Sequence, residues 1–321
     1  MARPVAGEPF GERELAVVRR AFARQMLVAA AVADNARLEA AFASVRREAF
    51  LGDEPWQVAD LRAGYRTLPA NDPVLAYQDV LFALAPGRGV HNGSPSLHAA
   101  WLHALAPAPG DEVVHLGAGT GYYSALLSRL VGPEGRVTAV ELDAALAGRA
   151  RANLAAFTNV VVTEGDAVDW PRQTVDAVYV NFGTMRPAAA WLEHLAPGGR
   201  LVLPLAVPAP APGGAFQRSR HGAGLLVIRT GEGFSARSLG PAYFVFAEGP
   251  LAGDDADRQA LGAAFERGGI EFVRSLVWRR PVDPARCWHV GAGWGLSYDP
   301  PGRPATPAGA AGPGRAGPGR S

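Results

Sequence analysis

Three glycines at alternate positions, Gly117, Gly119 and Gly121, follow the apolar run Val113-Val114-His115-Leu116. Two carboxylates, Glu141 and Asp166, close or follow the next two apolar runs. A glycine turn between a buried strand and a helix lets backbone N–H groups reach a ligand, because no Cβ blocks the approach. A carboxylate at the end of the second strand can accept both hydroxyls of a ribose. These residue types in this order point to a nucleoside-cofactor site. The register Gly-x-Gly-x-Gly, with Tyr122 next, departs from the Gly-x-Gly-x-x-Gly of dinucleotide enzymes. A phosphate loop ending in Gly-Lys is excluded, because Arg supplies all 31 positive charges and the chain has no Lys.

Positioning these residues takes alternating strands and helices. Tyr123 to Leu130 has helical apolar spacing, and Arg136 to Val140 reads as the strand that ends at Glu141. Asp143 caps a helix to Ala156; Val160 to Thr163 is a strand that leads into Glu164-Gly165-Asp166. Val175 to Val180 is a fourth strand, ending at Asn181-Phe182-Gly183, then comes a helix from Ala188 to Leu195 and a fifth strand, Arg200 to Leu205. This order predicts an α/β fold with a doubly wound, mostly parallel, Rossmann-like sheet.

Upstream, Glu12 to Ala33 and Ala36 to Val45 read as helices, the second capped by Asp34 or Asn35. A loop-rich stretch to about Arg88 carries Tyr77-Gln78-Asp79, and Asn92-Gly93-Ser94-Pro95 turns into a helix from His98 to Leu105. Downstream, residues 207–223 read as a flexible excursion, and Gly224 to Arg229 and Tyr243 to Ala247 as late strands. Asp255 to Glu266 is a helix; Phe272 to Arg279 and Trp288 to Ser297 are a final pair of strands. From Asp299 the chain is rich in Pro, Gly, Ala and Arg and reads as a disordered tail.

Composition narrows the partners. The 321 residues are 48% hydrophobic with a net charge of +1, which argues against a general nucleic-acid or acidic-membrane binder. The single cysteine, Cys287, excludes an intramolecular disulfide and a multi-Cys metal site, and no His or carboxylate pair has metal-ligand spacing. Met26 to Ala33 is too short to span a bilayer and no signal peptide stands at the start, so the expected location is the cytoplasm. The sequence says nothing about oligomeric state.

Taken together, the glycine turn, the acidic end of the second strand, Gly165-Asp166 and Pro197-Gly198-Gly199 resemble the class I S-adenosylmethionine-dependent methyltransferases. Within them the chain is most similar to the protein-L-isoaspartate O-methyltransferase family. That likeness rests on Val45-Arg46-Arg47-Glu48-Ala49-Phe50, Ala76-Tyr77-Gln78-Asp79, Ser94-Pro95 and Leu195-Ala196-Pro197-Gly198-Gly199-Arg200. The resemblance implies S-adenosyl-L-methionine as cofactor. Gly117, Ala118, Gly119, Thr120 and Gly121 would pass along its methionine part, Glu141 would hold the ribose, and Leu142 would pack on the adenine. Asp166 would accept the adenine amine with Ala167 beside it, and Asn181 and Phe182 would border the methyl. It implies a carboxylate oxygen of a protein or peptide as acceptor, with Ser94 as the candidate catalytic hydroxyl. Position 93, where the family usually carries Ser, is Gly here.

The implied organisation is a helical cover over 1–88, a cofactor-binding methyltransferase domain over 89–250, an α+β extension over 251–298 and the tail over 299–321. Other readings stand beside it: an O-methyltransferase for another peptide or small molecule, a dinucleotide oxidoreductase, and a non-catalytic binding module. Ser94 and Ser96 can equally be helix caps. His98 and His103 read as packed residues, His115 as a satisfied core histidine, and Tyr77 and Asp79 as residues that hold their loop.

Overall fold

The structure is a computed structural model and describes residues 10–60, 64–209 and 219–302. At the N-terminal end, α1 (Glu12–Ala29) and α2 (Ala36–Ser44) form, the second capped by Asn35, whose side chain accepts from the Leu38 N–H. The loop-rich stretch then builds two antiparallel ribbons. β1 (Gln57–Asp60) pairs with β2 (Gly64–Thr67), and β3 (Ala83–Ala85) pairs with β4 (Val90–His91). The expected helical cover is therefore half helix and half short ribbon. Pro95 opens α3 (Pro95–Leu105), three residues earlier than the apolar spacing suggests, because proline suits the first turn of a helix.

The cofactor-type alternation follows closely. β5 (Glu112–Leu116), α4 (Tyr122–Val131), β6 (Arg136–Glu141), α5 (Ala144–Asn153), β7 (Val160–Glu164), β8 (Val175–Val180), α6 (Ala189–Glu193) and β9 (Leu195–Pro208) appear in that order. β10 (Ser219–Thr230) and β11 (Gly233–Pro241) extend the sheet, then α7 (Asp255–Arg267), β12 (Ser275–Trp278), β13 (Cys287–Gly291) and β14 (Trp294–Ser297) complete it. All ten strands from β5 onward share one sheet, in the order β13-β14-β12-β11-β10-β9-β8-β5-β6-β7. β7, β6, β5, β8 and β9 are parallel; every later pairing is antiparallel. The strand order reverses at β5, and in such sheets ligands bind in the crevice beyond the strand ends at that reversal.

Both faces of the sheet are covered. α1 to α4 bury Phe22, Phe42, Trp101, Leu105 and Leu126 on one face. α6 and α7 bury Trp191, Leu192 and Leu261 on the other, with Trp288 and Trp294 of the last strands. Segment 251–298 is thus joined to the main sheet, and β12 pairs directly with β11.

Three late expectations are corrected. Residues 207–208 and 219–223 are strand, paired from Ser219↔Pro208 onward, where the composition suggested an excursion. Residues 210–218 and 303–321, the rest of that excursion and the bulk of the tail, lie outside the described residues. Tyr243–Ala247 is not a named strand; within it Val245 and Phe246 make only isolated bridges, Phe246 with Gly183; β11 takes its place in the sheet. The final pair is three strands, because Gly291 and Gly293 flank a turn within Trp288–Ser297. Among the described residues no helix is long and apolar enough to cross a membrane.

Candidate active site

A cleft opens over the carboxyl ends of β5, β6 and β8. It encloses about 1160 Å³ of empty space including its mouth, and its lining takes in Gly117 to Thr120, Glu141, Leu142, Asp166, Ala167, Asn181 and Phe182. Of the residues given a cofactor-binding or catalytic role in the sequence analysis, only Gly121 and Ser94 are missing from that lining.

The turn is held from below. The N–H groups of Gly117 and Ala118 both donate to the Val140 carbonyl, at 2.9 and 3.1 Å. Its glycines have φ of 75°, 57° and 95°, the left-handed region. Gly121 starts α4 with Leu154 packed so close that a Cβ would stand 2.6 Å from its Cδ1. Gly121 therefore sets how tightly α4 and α5 pack. Thr120 is buried and its hydroxyl donates to the Phe50 carbonyl at 2.8 Å, so it ties the turn to the N-terminal segment.

Glu141 is 9% exposed. Its Oε2 accepts from the Gly119 N–H at 2.7 Å and its Oε1 from the Asp143 N–H at 3.0 Å. Burial outweighs the Gly119 and Leu142 N–H groups and the charge of Arg88, and pushes its carboxyl up to about 7. A carboxylate has about four acceptor positions, so two remain for hydroxyl donors. Asp143 caps α5 through Leu146 and pairs with Arg88, which also lies 3.6 Å from Glu248. Asp166 Oδ1 accepts from the Val168 N–H at 3.0 Å, while Oδ2 has no hydrogen-bond partner among the described residues. Leu142 is half-exposed on the open side, and Ala167 and Leu251 are buried.

Asn181 follows β8. Its Nδ2 meets His115 Nε2 at 2.7 Å, and His115 Nδ1 meets Ser124 Oγ at 2.7 Å. His115 is therefore the satisfied core histidine its place in mid-strand suggests, and burial lowers its pKa to about 3. Asn181 Oδ1 is buried with no partner among the described residues, a costly arrangement unless a ligand supplies one.

The far end of the cleft is formed by His91, Asn92, Gly93, His98 and Phe244. Ser94 is turned away from it. Its Oγ donates to Asp79 Oδ1 at 2.8 Å, and Asp79 also accepts from the Ser96 N–H and hydroxyl. Asp79 does hold a loop, but the one at 94–96 rather than only its own. Asp79 is held in turn: the guanidinium of Arg47, fully buried, donates to the carbonyls of Ala76, Gln78 and Val80 at 2.6–2.8 Å. His98, read from sequence as packed, is packed and also faces the cleft; helical spacing alone gives no sign of that.

The family model described as Protein-L-isoaspartate(D-aspartate) O-methyltransferase (PCMT) matches residues 24–229. The Protein-L-isoaspartate O-methyltransferase of Methylorubrum extorquens is 34% identical over 245 residues, 75% of this chain and 92% of its own length. That of Methanopyrus kandleri is 34% identical over 159 residues, 46% of this chain and 70% of its own. Among solved structures, a protein-L-isoaspartate O-methyltransferase superposes with a TM-score of 0.55 at 19% identity, over 81% of this chain and 72% of that one. A Plasmodium falciparum structure described under the same activity, in complex with S-adenosyl-L-homocysteine, gives 0.54 at 15% identity, over 72% and 98%. At these identities the two structures establish a shared fold.

Proposed function

The chain belongs to the protein-L-isoaspartate O-methyltransferase family and is an S-adenosylmethionine-dependent methyltransferase, and from that premise we propose that it methylates a carboxylate oxygen of an isoaspartyl-type peptide or protein in the cleft above β5. The carrying observation is the make-up of the cleft: a glycine turn with two carboxylates at one end, and uncharged or weakly basic polar groups at the other.

The residues fit the cofactor. Glu141 has acceptor capacity for two ribose hydroxyls, Asp166 Oδ2 for an exocyclic amine, and Leu142, Ala167 and Leu251 offer apolar walls to a base. The unpartnered Asn181 Oδ1 suits an ammonium or polarised methyl donor at the methionine end. When bound, S-adenosylmethionine supplies an electrophilic methyl group on an already activated leaving group. The protein is left to align the acceptor and to exclude water. A carboxylate is ionised at neutral pH and needs no general base. His98 and His115 are both held well below their ordinary basicity by burial, which suits such an acceptor.

The test is transfer of labelled methyl to an isoaspartyl peptide, with the aspartyl peptide as control and calorimetric cofactor binding alongside. Transfer to the isoaspartyl peptide alone is expected; binding without transfer to it would discard this acceptor. In the same assays Asp166→Ala is expected to weaken cofactor binding about tenfold, the worth of one lost charge-assisted hydrogen bond. Ser94→Ala is expected to leave cofactor binding unchanged and to lower turnover only through the 94–96 turn. Unchanged cofactor affinity in Asp166→Ala would remove Asp166 from the adenine site.

A further inference from the structure

At the acceptor end of the cleft, the backbone at Gly93 and the ring of His98 share one small space. Gly93 has φ of +77°, and a Cβ there would stand 2.2 Å from His98 Nε2 and 2.8 Å from its Cδ2. Any side chain at 93 would displace the imidazole; glycine leaves its Nε2 bare. The turn is pinned on both sides of this point. The Gly93 N–H donates to His91 Nδ1 at 3.1 Å, and the Tyr123 hydroxyl reaches the Gly93 carbonyl at 3.5 Å.

The ring itself cannot turn. It stacks on Tyr123 with centroids 3.6 Å apart, and Tyr179 and Phe244 meet it edge-on. His98 Nδ1 lies 2.6 Å from the Tyr179 hydroxyl, with both residues buried. Burial raises the Tyr179 phenol well above its ordinary range, so it keeps its proton. That hydroxyl has no other hydrogen-bond partner among the described residues, so it donates to Nδ1. A neutral imidazole that accepts at Nδ1 carries its proton at Nε2. The groups around it, His91, His115, Arg47 and Tyr123, include no carboxylate that would favour a second proton, and burial with the nearby His115, His91 and Arg47 holds His98 neutral.

Resting on the methyltransferase reading above, we propose that His98 seats the acceptor: its Nε2–H, oriented by Tyr179 and uncovered by Gly93, donates a hydrogen bond to the acceptor carboxylate oxygen that is not methylated. The attacking oxygen is thereby turned toward the methyl group. A protonated Nε2 cannot serve as base toward an alcohol or phenol, so the seat selects carboxylates, which bring their own charge. His98 would touch the substrate; Tyr179 is a positioning residue that acts through it.

The experiment uses the full chain, labelled S-adenosylmethionine and an isoaspartyl peptide. His98→Phe keeps the stack and removes the donor. It is expected to lower kcat/KM by about tenfold to a hundredfold, mostly through KM, with S-adenosylhomocysteine affinity unchanged by calorimetry. His98→Gln, whose amide can place an N–H near the same point, is expected to recover most of the loss. In the wild type, nitrogen NMR should find the His98 proton on Nε2; in Tyr179→Phe the ring becomes a mixture of tautomers and KM rises a few-fold. Unaltered kcat/KM in folded His98→Phe, or a wild-type proton on Nδ1, would overturn the proposal while leaving the enzyme's activity standing. If His98→Phe does not fold, the wild-type spectrum and Tyr179→Phe decide. Absence of transfer by the wild-type chain would instead overturn the acceptor class, and this seat with it.

Discussion

Replacing Arg47 with methionine is expected to destabilise the protein by about 3 kcal/mol and to reduce methyl transfer further than cofactor binding. Arg47 is fully buried beside Phe22, Phe82 and Tyr122, with its guanidinium 5.0–5.9 Å from their ring centroids. It makes no ion pair within 4 Å among the described residues, and burial lowers its pKa. The charge is carried by three carbonyls, Ala76, Gln78 and Val80, none of which receives another backbone donor outside the regular elements. Methionine fills a similar volume and removes the cost of burying a charge. It also leaves three carbonyls unpaired, each worth about 1–3 kcal/mol, and the second effect wins. The loop so released carries Asp79, the acceptor for both hydroxyls of the 94–96 turn. Denaturant unfolding and steady-state transfer would measure the two effects. Loss of stability with an unchanged KM for peptide would break the proposed chain from Arg47 to the acceptor turn.

That chain shows what was legible in the sequence and what was not. Val45 to Phe50 and Ala76 to Asp79 could be picked out as separate stretches. Only the fold shows that Arg47 of the first holds the carbonyls of the second, and that Glu48 accepts from the Tyr77 hydroxyl. The end of the cleft proposed for the cofactor was readable as structure because its physics is local. A buried apolar run, left-handed glycines and a strand-end carboxylate follow one another along the chain, and β8 begins and ends where the apolar run does. The end proposed for the acceptor depends on contacts across long separations, such as His98 with Tyr179, 81 residues apart. β11 escaped notice because Gly233–Pro241 has no apolar run and buries only Ala236; its place is set by pairing with β10. Tyr243–Ala247 has strand-like residues but spends them on the cleft wall, where Phe244 and Phe246 pack.

Cofactor binding is expected to release protons near neutral pH, and Glu141→Gln to abolish that release while weakening binding by about a hundredfold. Glu141 is nearly buried, and its carboxyl is raised to about 7 because burial disfavours the charged form more than the Gly119 N–H favours it. Roughly half of the free protein is therefore protonated there at pH 7. Ribose hydroxyls donate to the ionised form and pull the pKa back down, so binding expels the proton. Apparent affinity should fall as pH drops below 7, by up to about tenfold per unit. The stability of the free protein runs the other way. A carboxyl whose folded pKa lies above its unfolded value near 4.5 contributes most stability below that value and loses it as pH rises through about 7. Opposite slopes for affinity and stability are the signature of one buried carboxylate that takes part in both. Titrations of S-adenosylhomocysteine in phosphate and in Tris between pH 6 and 8 would count the protons from the difference in heat. A buffer-independent heat in the wild type, or the same release in Glu141→Gln, would show that the ribose carboxylate lies elsewhere. The glutamine keeps an acceptor oxygen but also brings two N–H donors toward groups that already donate, the Gly119 and Asp143 N–H groups and the incoming hydroxyls. Its loss of affinity therefore measures the carboxylate's charge together with the turn it organises.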